Sequence, residues 1–176
     1  MAVRQYDLDD VVQKVITVLE DNVPAKIAEI NTLKSATGAE IMLAPLNYFY
    51  GLREFDNIMS VGNCVVEVTT SNIEGVKFDG GATTEDIFII INLHLWENED
   101  TFSIIEKKAY WYGRVLREIM ANEPLALVFD QYPSNIKDTV VINTEYTMFE
   151  SKDEVYMKTI TLTIKMRQIF GYNQSI

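Results

Sequence analysis

Apolar side chains recur at two different periods along this chain, and each period predicts a different element. Residues 8–19 and 102–119 place apolar positions three and four residues apart, which predicts amphipathic helices. Asp7 is suited to cap the first helix, which should end near residues 21–22. Pro24 should then open a second short helix, which residues 35–38 end. The N-terminal segment 1–38 is therefore predicted to be helical.

Alternation with a period of two predicts strands in the middle of the chain. Residues 63–71 are rich in β-branched side chains and should form a strand, residues 71–75 a turn, and residues 76–81 a short strand or hairpin arm. Residues 85–98 alternate most clearly, and one side carries Ile87, Ile89, Ile91, Leu93 and Leu95. The other side carries Phe88, Ile90, Asn92, His94 and Trp96. Since that second side is only half polar, we expect another part of the protein to cover some of it.

The last third of the chain predicts a hairpin. Residues 139–150 and 155–170 alternate on either side of a short turn, and residues 171–176 should be a flexible tail. The predicted order is α-α-β-β-β-α-β-β. It favours one α+β domain spanning residues 1–176, in which helices pack on one face of an antiparallel or mixed sheet of about five strands.

The segment 44–51, APLNYFYG, has neither period yet holds three aromatic side chains between a proline and a glycine. Two interpretations remain open from the sequence. The rings of Tyr48, Phe49 and Tyr50 either close the open side of the sheet or form a contact loop for a neighbouring subunit.

Charge and hydropathy exclude several classes of protein. The net charge of −11 arises wholly within residues 1–100, which hold 17 acidic and 6 basic side chains. This excess of acidic side chains is typical of a soluble protein. If it forms one surface, that surface would also repel polyanions, which argues against direct or sequence-specific nucleic-acid binding. No apolar run is long enough to span a bilayer, and the first residues do not resemble a secretory signal. We therefore expect a protein made in the cytosol that has no membrane association.

The sequence offers little catalytic chemistry. It has no glycine-rich phosphate loop, nucleophile elbow or metalloprotease motif. Cys64 is the only cysteine and His94 the only histidine, so a zinc site within one chain lacks ligands. Cys64 lies in an apolar alternation typical of a buried thiol, and His94 has no acid or nucleophile next to it in sequence. We predict no enzyme activity, cofactor or metal.

Aromatic side chains with arginines nearby are typical of protein interfaces. They concentrate at residues 48–55, 88–96 and 110–112. The predicted interface residues are Tyr48, Phe49, Tyr50, Arg53, Phe88, His94, Trp96, Trp111 and Arg114. A long final strand at a sheet edge would also favour pairing between subunits, because an unpaired edge promotes aggregation.

Two motifs stand out within this order of elements. The first is Pro45, Tyr48 and Gly51 in PLNYFYG, and the second is Tyr112, Gly113 and Arg114 in YWYGRVLREI. With the closing strand that ends in KMRQIF, they give the chain a pattern that resembles the tail-terminator or tail-completion group of tailed-bacteriophage neck proteins. The segment between the first helix and the first clear strand is longer than in the smallest terminators.

The resemblance implies a structural virion protein, assembled in the host cytoplasm, that forms a homo-oligomeric ring, commonly a hexamer. Such a ring caps the tail tube, ends its polymerisation and joins it to the head–tail connector, while DNA passes through the lumen. Tail-tube or sheath protein and connector protein would be its partners. The alternatives are a cytosolic ligand-binding module or enzyme subunit with a pocket near His94 and Trp96, or an α+β protein of another role.

Overall fold

The computed structural model describes residues 8–52, 64–79, 82–98, 102–122, 136–150 and 155–171. Two α-helices and five strands follow one another in these ranges, with a single 3-10 turn between the first helix and the first strand. They are α1 (Leu8–Leu33), β1 (Asn47–Tyr50), β2 (Cys64–Asp79), β3 (Ala82–Asn98), α2 (Phe102–Ala121), β4 (Ile136–Glu150) and β5 (Val155–Gly171). Strands β4 and β5 confirm the predicted C-terminal hairpin, and α2 confirms the predicted helix over 102–119. Of the predicted tail, Gly171 ends β5 and residues 172–176 lie outside the described ranges.

The five strands form one mixed sheet in the order β1-β2-β3-β5-β4. Strand β1 runs parallel to β2, and the other neighbours pair antiparallel. The main core joins α1 and α2 to one face of β2, β3 and β5, where the odd-numbered side chains of β3 and the even-numbered ones of β5 lie. Both helices therefore cover the same face. This architecture confirms the predicted α+β class and the predicted inward side of β3.

The first helix differs from the prediction because α1 continues through Pro24 to Leu33. A proline inside a helix removes one backbone hydrogen bond and costs about 3 kcal/mol. The buried stripe nevertheless continues past this point, at Leu19, Val23, Ile27 and Ile30. Burial of these side chains offsets the local cost, and Pro24 itself is exposed. The predicted end at 35–38 holds, because Ser35 adopts a positive φ of 51° just after the helix.

Strand β2 also differs from the prediction, since residues 71–75 form no turn. They remain in the strand, where Ile73 pairs with Ile87 and Gly75 pairs with Glu85. A register shift between Thr70 and Asn72 marks a bulge at this point. The bulge lets a sequence with turn-forming residues stay in the ladder that β3 provides.

The aromatic segment contains a strand that its sequence pattern did not predict. Residues 47–50 pair in parallel with residues 65–68 of β2. The strand ends at Gly51, whose φ of 79° favours glycine and whose N–H donates to the Val68 carbonyl at 2.8 Å. Four residues are too few to show a period, and pairing with β2 is what makes them a strand.

Candidate functional site

The chain between α1 and β1 is fixed to the helices by two side chains that act on its backbone. The Asn31 side chain at the end of α1 donates to the Met42 carbonyl at 2.9 Å and accepts from the Met42 N–H at 3.0 Å. The Tyr112 hydroxyl of α2 donates to the Leu43 carbonyl at 2.5 Å and accepts from the Leu43 N–H at 3.0 Å. Both backbone groups of two successive residues are thus satisfied by side chains, as a neighbouring strand would satisfy them.

The same segment is anchored by packing and by charge. Met42 is 2% exposed and belongs to the main core. Next to it, the Lys107 ammonium of α2 donates to Glu40 at 2.7 Å. The Lys107 Nζ also lies 5.0 Å from the centre of the Trp111 ring. The segment is therefore held in one conformation against both helices.

This anchored segment nevertheless presents large apolar side chains to solvent. The exposed fractions are 41% for Ile41, 63% for Leu43, 80% for Leu46, 47% for Tyr50 and 68% for Leu52. We call these five residues the β1-edge patch, because they flank or belong to the first strand of the sheet. Clusters of exposed apolar side chains on a fixed backbone are typical of surfaces that bind another protein.

The opposite edge of the sheet carries a second exposed surface. Val140 and Ile142 of β4 are 51% and 49% exposed, and Tyr110 of α2 is 57% exposed. The Tyr110 and Tyr146 rings pack with their centres 5.0 Å apart, and Arg117 is exposed about two turns further along α2. We call Tyr110, Arg117, Val140, Ile142 and Tyr146 the β4-edge patch. It spans both faces of this edge, since Tyr146 packs on α2 whereas Val140 lies opposite Lys165 on the face away from the helices.

Gly113 explains how Tyr146 can pack so closely on α2. A Cβ added at Gly113 would stand 2.2 Å from the Tyr146 hydroxyl oxygen and 2.9 Å from its ring carbon. The glycine in the Tyr112–Gly113–Arg114 motif thus leaves room for a tyrosine of β4. Its neighbour Tyr112 holds the segment that leads into the Pro45–Tyr48–Gly51 motif, so the two motifs lie on connected elements.

Buried thiol and phenol groups lie beneath the β1-edge patch. Cys64 is 6% exposed, and burial raises the pKa of its thiol to about 12. The prediction of a buried structural thiol is confirmed. Tyr48 packs against the main core, and burial raises the pKa of its phenol above the ordinary value. Its hydroxyl oxygen is buried and has no hydrogen-bond partner among the described residues.

The face of the sheet opposite the helices contains a buried polar network. His94 on β3 lies between Glu67 on β2 and Thr159 on β5, and their exposed fractions are 7%, 2% and 6%. His94 Nε2 is 2.9 Å from Glu67 Oε2, and His94 Nδ1 is 2.9 Å from Thr159 Oγ1. A neutral imidazole can donate from Nε2 to the carboxylate and accept the threonine hydroxyl proton at Nδ1.

Sequence spacing gave no sign of this network. Glu67 and Thr159 are 27 and 65 residues from His94. Alternation alone places Thr159 on the polar side of its strand, but only the strand order brings it opposite His94. The geometry supplies a carboxylate, an imidazole and a hydroxyl in one line, which is the set of groups used in acyl transfer. Here all three side chains are buried, so the arrangement is equally suited to fixing the register of three strands.

Apolar contacts surround one end of the network. Trp96, Val65 and Met157 form a second small core on this face, and Phe49 of β1 packs against it. Further along the same face, Thr161 donates to Asn92 at 2.8 Å. These contacts confirm that part of the second side of β3 is covered.

A salt-bridge cluster lies near the far end of the same face. The Arg167 guanidinium donates to Asp86 at 2.9 and 3.2 Å, and the Lys165 ammonium lies 3.4 Å from the same carboxylate. The hydrogen bond from Arg167 holds the pKa of Asp86 below its usual range.

The predicted interface residues fall into different environments. Tyr50 is 47% exposed, and its hydroxyl donates to Asp9 at 2.6 Å. Arg114 is partly exposed and donates to Glu118 at 2.5 Å. Phe88 is half-buried on the face away from the helices, where it lies opposite Lys165. Tyr48, Phe49, His94, Trp96 and Trp111 pack against the two cores or the network, and Arg53 lies outside the described residues.

The more exposed apolar residues were not among those predictions. Leu43 and Leu46 belong to the apolar run 41–46, whose position next to Pro45 in a segment without period was the available signal. Val140 and Ile142 flank Val141 in a run of three apolar residues, so the sequence pattern alone does not show which of them a helix covers. Only the tertiary structure separates buried from exposed positions here.

A shallow groove between the helices is lined by polar groups that satisfy one another. Lys26 of α1 pairs with Glu118 of α2 at 2.6 Å and with Glu29 at 2.8 Å. The hydrogen bonds to Glu118 and Glu29 raise the pKa of Lys26. The hydrogen bonds from Lys26 and Arg114 lower the pKa of Glu118. The ion pairs in this groove link α1 to α2. The groove lies on the side of the sheet away from His94.

Within the described ranges, no three His, Cys, Asp or Glu side chains are grouped closely enough to hold a metal ion. Neither described α-helix has the length and apolarity needed to cross a membrane. Comparison of the sequence with models of known protein families and with curated proteins gives no match.

Proposed function

We propose that this chain is a structural virion protein that forms a ring at the neck of a tailed bacteriophage. The ring, a hexamer in this proposal, caps the tail tube, stops its polymerisation and offers a surface to the head–tail connector. The observation that carries the proposal is the pair of exposed apolar patches at opposite edges of one sheet. Different surfaces on the two sides of a subunit are what a ring requires.

The anchored segment supports the proposal. A ring subunit must present its contact residues in a fixed geometry, since ordering a loose loop would weaken association. Asn31 and Tyr112 hold Met42 and Leu43 by four hydrogen bonds, and Leu43 and Leu46 are exposed to solvent on that fixed backbone. In this proposal the exposed Leu46 and Tyr50 of the aromatic segment serve assembly, while Tyr48 and Phe49 pack inward.

Charge supports the proposed passage of DNA through the ring. The chain carries a net charge of −11. An acidic lumen repels the phosphate backbone, so DNA would move through it without adhering.

The test is to add the purified protein to polymerising tail-tube protein from the same virus and to measure tube lengths by electron microscopy. We expect shorter tubes with a ring at one end, and the shortening should increase with the ratio of this protein to tube protein. Heat-unfolded protein at the same ratio is the control. Tubes of unchanged length without terminal rings would contradict the proposal.

One observation favours a second candidate, a binding module or enzyme subunit built around His94. The Glu67 carboxylate lies 2.9 Å from the imidazole, as an activated base would require. Because His94 is the only histidine, carbethoxylation by diethyl pyrocarbonate reports on this site alone. Modification of the folded protein at the rate of a free imidazole would favour an open site. Modification only after unfolding would favour a structural network.

A further inference from the structure

The two edges of the sheet differ in length, and each has one side that no other described strand pairs with. Strand β4 has 15 residues and pairs only with β5 among the described strands. Strand β1 has four residues and pairs only with β2 in the same ranges. Unpaired edges with exposed apolar side chains promote association with another chain. Each edge of this sheet carries such side chains, in the β1-edge and β4-edge patches.

The charges beside the two edges differ. Helix α1 packs against β1 and β2, and its exposed side chains include Asp9, Asp10, Glu20 and Asp21. Helix α2 packs against β4, and on that side it exposes Arg117, which acts electrostatically on Tyr146. The β4 edge also exposes Glu145 and so carries both signs. The acidic β1 edge is therefore repelled less by a β4 edge than by a second β1 edge.

We propose that the β4-edge patch of one copy docks on the β1-edge patch of a second copy. This inference rests on the proposed function, since it names the partner and the two surfaces of the ring contact. The contact covers Leu43, Leu46 and Leu52 of one copy with Val140 and Ile142 of the next. It also brings Arg117 towards the acidic side of α1.

Contacts between two identical edges would bring like charges together or leave exposed apolar side chains uncovered. Two β1 edges would bring the acidic α1 helices of both copies together. Two β4 edges would bring Arg117 towards its own copy and leave Leu46, which is 80% exposed, uncovered. A contact between unlike edges covers both patches in every copy, and repetition of that contact can close a ring.

The experiment uses one charged substitution on each edge. Leu46→Asp disrupts the β1-edge patch, and Ile142→Asp disrupts the β4-edge patch. Both side chains are exposed, at 80% and 49%, so the fold should tolerate them. Ile73→Asp is the matched control, because Ile73 is 46% exposed on β2 and belongs to neither patch. Molar mass is measured by light scattering after size exclusion, and folding is checked by circular dichroism.

We expect wild type and Ile73→Asp to form the same oligomer, and each edge variant alone to be monomeric. An equimolar mixture of the two edge variants should form a heterodimer of twice the monomer mass. Leu46→Asp retains an intact β4 edge and Ile142→Asp retains an intact β1 edge, so the mixture can make one contact only. If either edge variant fails to fold, Leu43→Asp or Val140→Asp replaces it on the same patch.

Several results would overturn the inference. They are a wild type that stays monomeric at all concentrations, an edge variant that assembles like wild type, a mixture that stays monomeric, and an Ile73→Asp variant that no longer assembles.

Tube-length measurements separate this inference from the proposed function. If the wild type self-associates through unlike edges but leaves tube length unchanged, the inference stands and the proposed neck function is contradicted. If the wild type shortens tubes while it remains monomeric, the proposed neck function stands and the inference is contradicted.

Discussion

The two faces of the central sheet are built on different physical principles. On the helix-covered face, Ile89, Ile91 and Leu93 are fully buried among other apolar side chains. On the opposite face, the same strand places Asn92 and His94 in hydrogen-bonded pairs with neighbouring strands. Apolar burial is non-directional and supplies stability, whereas polar pairs require specific partners. The comparison indicates that the helix-covered face supplies most of the stability and the other face specifies how the strands align.

The largest expected change in stability comes from Ile91, and Ile90 next to it on the other face of β3 serves as the comparison. Ile91→Ala should lower the free energy of unfolding by about 3–4 kcal/mol, because the side chain is fully buried. Ile90→Ala should cost about 1 kcal/mol, since Ile90 is half-buried on the opposite face. Urea titration of both variants measures the difference. Equal losses would remove the distinction between the faces.

The next effect concerns the buried network. Glu67→Gln should lower the free energy of unfolding by about 2 kcal/mol, because the amide leaves a buried donor or acceptor poorly paired. The matched control is Glu74→Gln, whose exposed carboxylate accepts from Asn72 at 3.1 Å and should contribute less than about 0.5 kcal/mol. Chemical denaturation at neutral pH compares the two. A Glu67→Gln variant as stable as the control would show that the network contributes little.

A smaller and pH-dependent effect is expected at Asp86. Its pKa is lowered in the folded protein by Arg167, so its ion pairs contribute stability above the unfolded pKa of about 4. That contribution is lost as the pH falls through the folded pKa. Asp86→Asn should therefore cost about 1 kcal/mol at pH 7, since its partners are partly exposed and screened. Melting curves from pH 7 to pH 2 should show wild type and variant converging, and a constant difference would contradict the assignment.

The smallest effect has the opposite sign. Tyr48 lies on the helix-covered side of β1 with a buried hydroxyl that has no partner among the described residues. Tyr48→Phe should therefore leave stability unchanged or raise it by up to about 1 kcal/mol. Tyr50→Phe is the control, because it removes an exposed hydrogen bond to Asp9 and should cost less than about 0.5 kcal/mol. A clear loss of stability in Tyr48→Phe, measured by thermal melting, would mean that the hydroxyl is paired.

Local patterns predicted the elements that pack on a single layer of the protein, because the buried side chains of such an element recur at one period. The alternation of β3 identified its buried face correctly, and the apolar stripe of α2 identified the helix that covers it. Predictions failed where a neighbour overrides local preference. Pro24 lies inside α1 because the buried stripe continues past it, and residues 71–75 stay in β2 because β3 supplies partners. The strand at 47–50 exists only through its pairing with β2.

The candidate site was less predictable than the fold. Aromatic content directed attention to Tyr48, Phe49 and Trp111, yet large rings are as useful in a core as at an interface, and these three pack inward. Leu43 and Leu46 lie in an apolar run without period next to Pro45, and that signal does not tell an exposed leucine from a core leucine. What exposes them is the way Asn31 and Tyr112 hold the backbone.

The sequence by itself determined the α+β class, the inward face of β3, the helix α2 and the C-terminal hairpin, because periodicity records which side of an element meets the core. The tertiary structure alone decided the strand order, and with it the meeting of Glu67, His94 and Thr159. It also decided which apolar residues remain at the two sheet edges. Contacts between residues far apart in the chain depend on how the elements pack together. That packing depends on the whole sequence, so no local pattern predicts it.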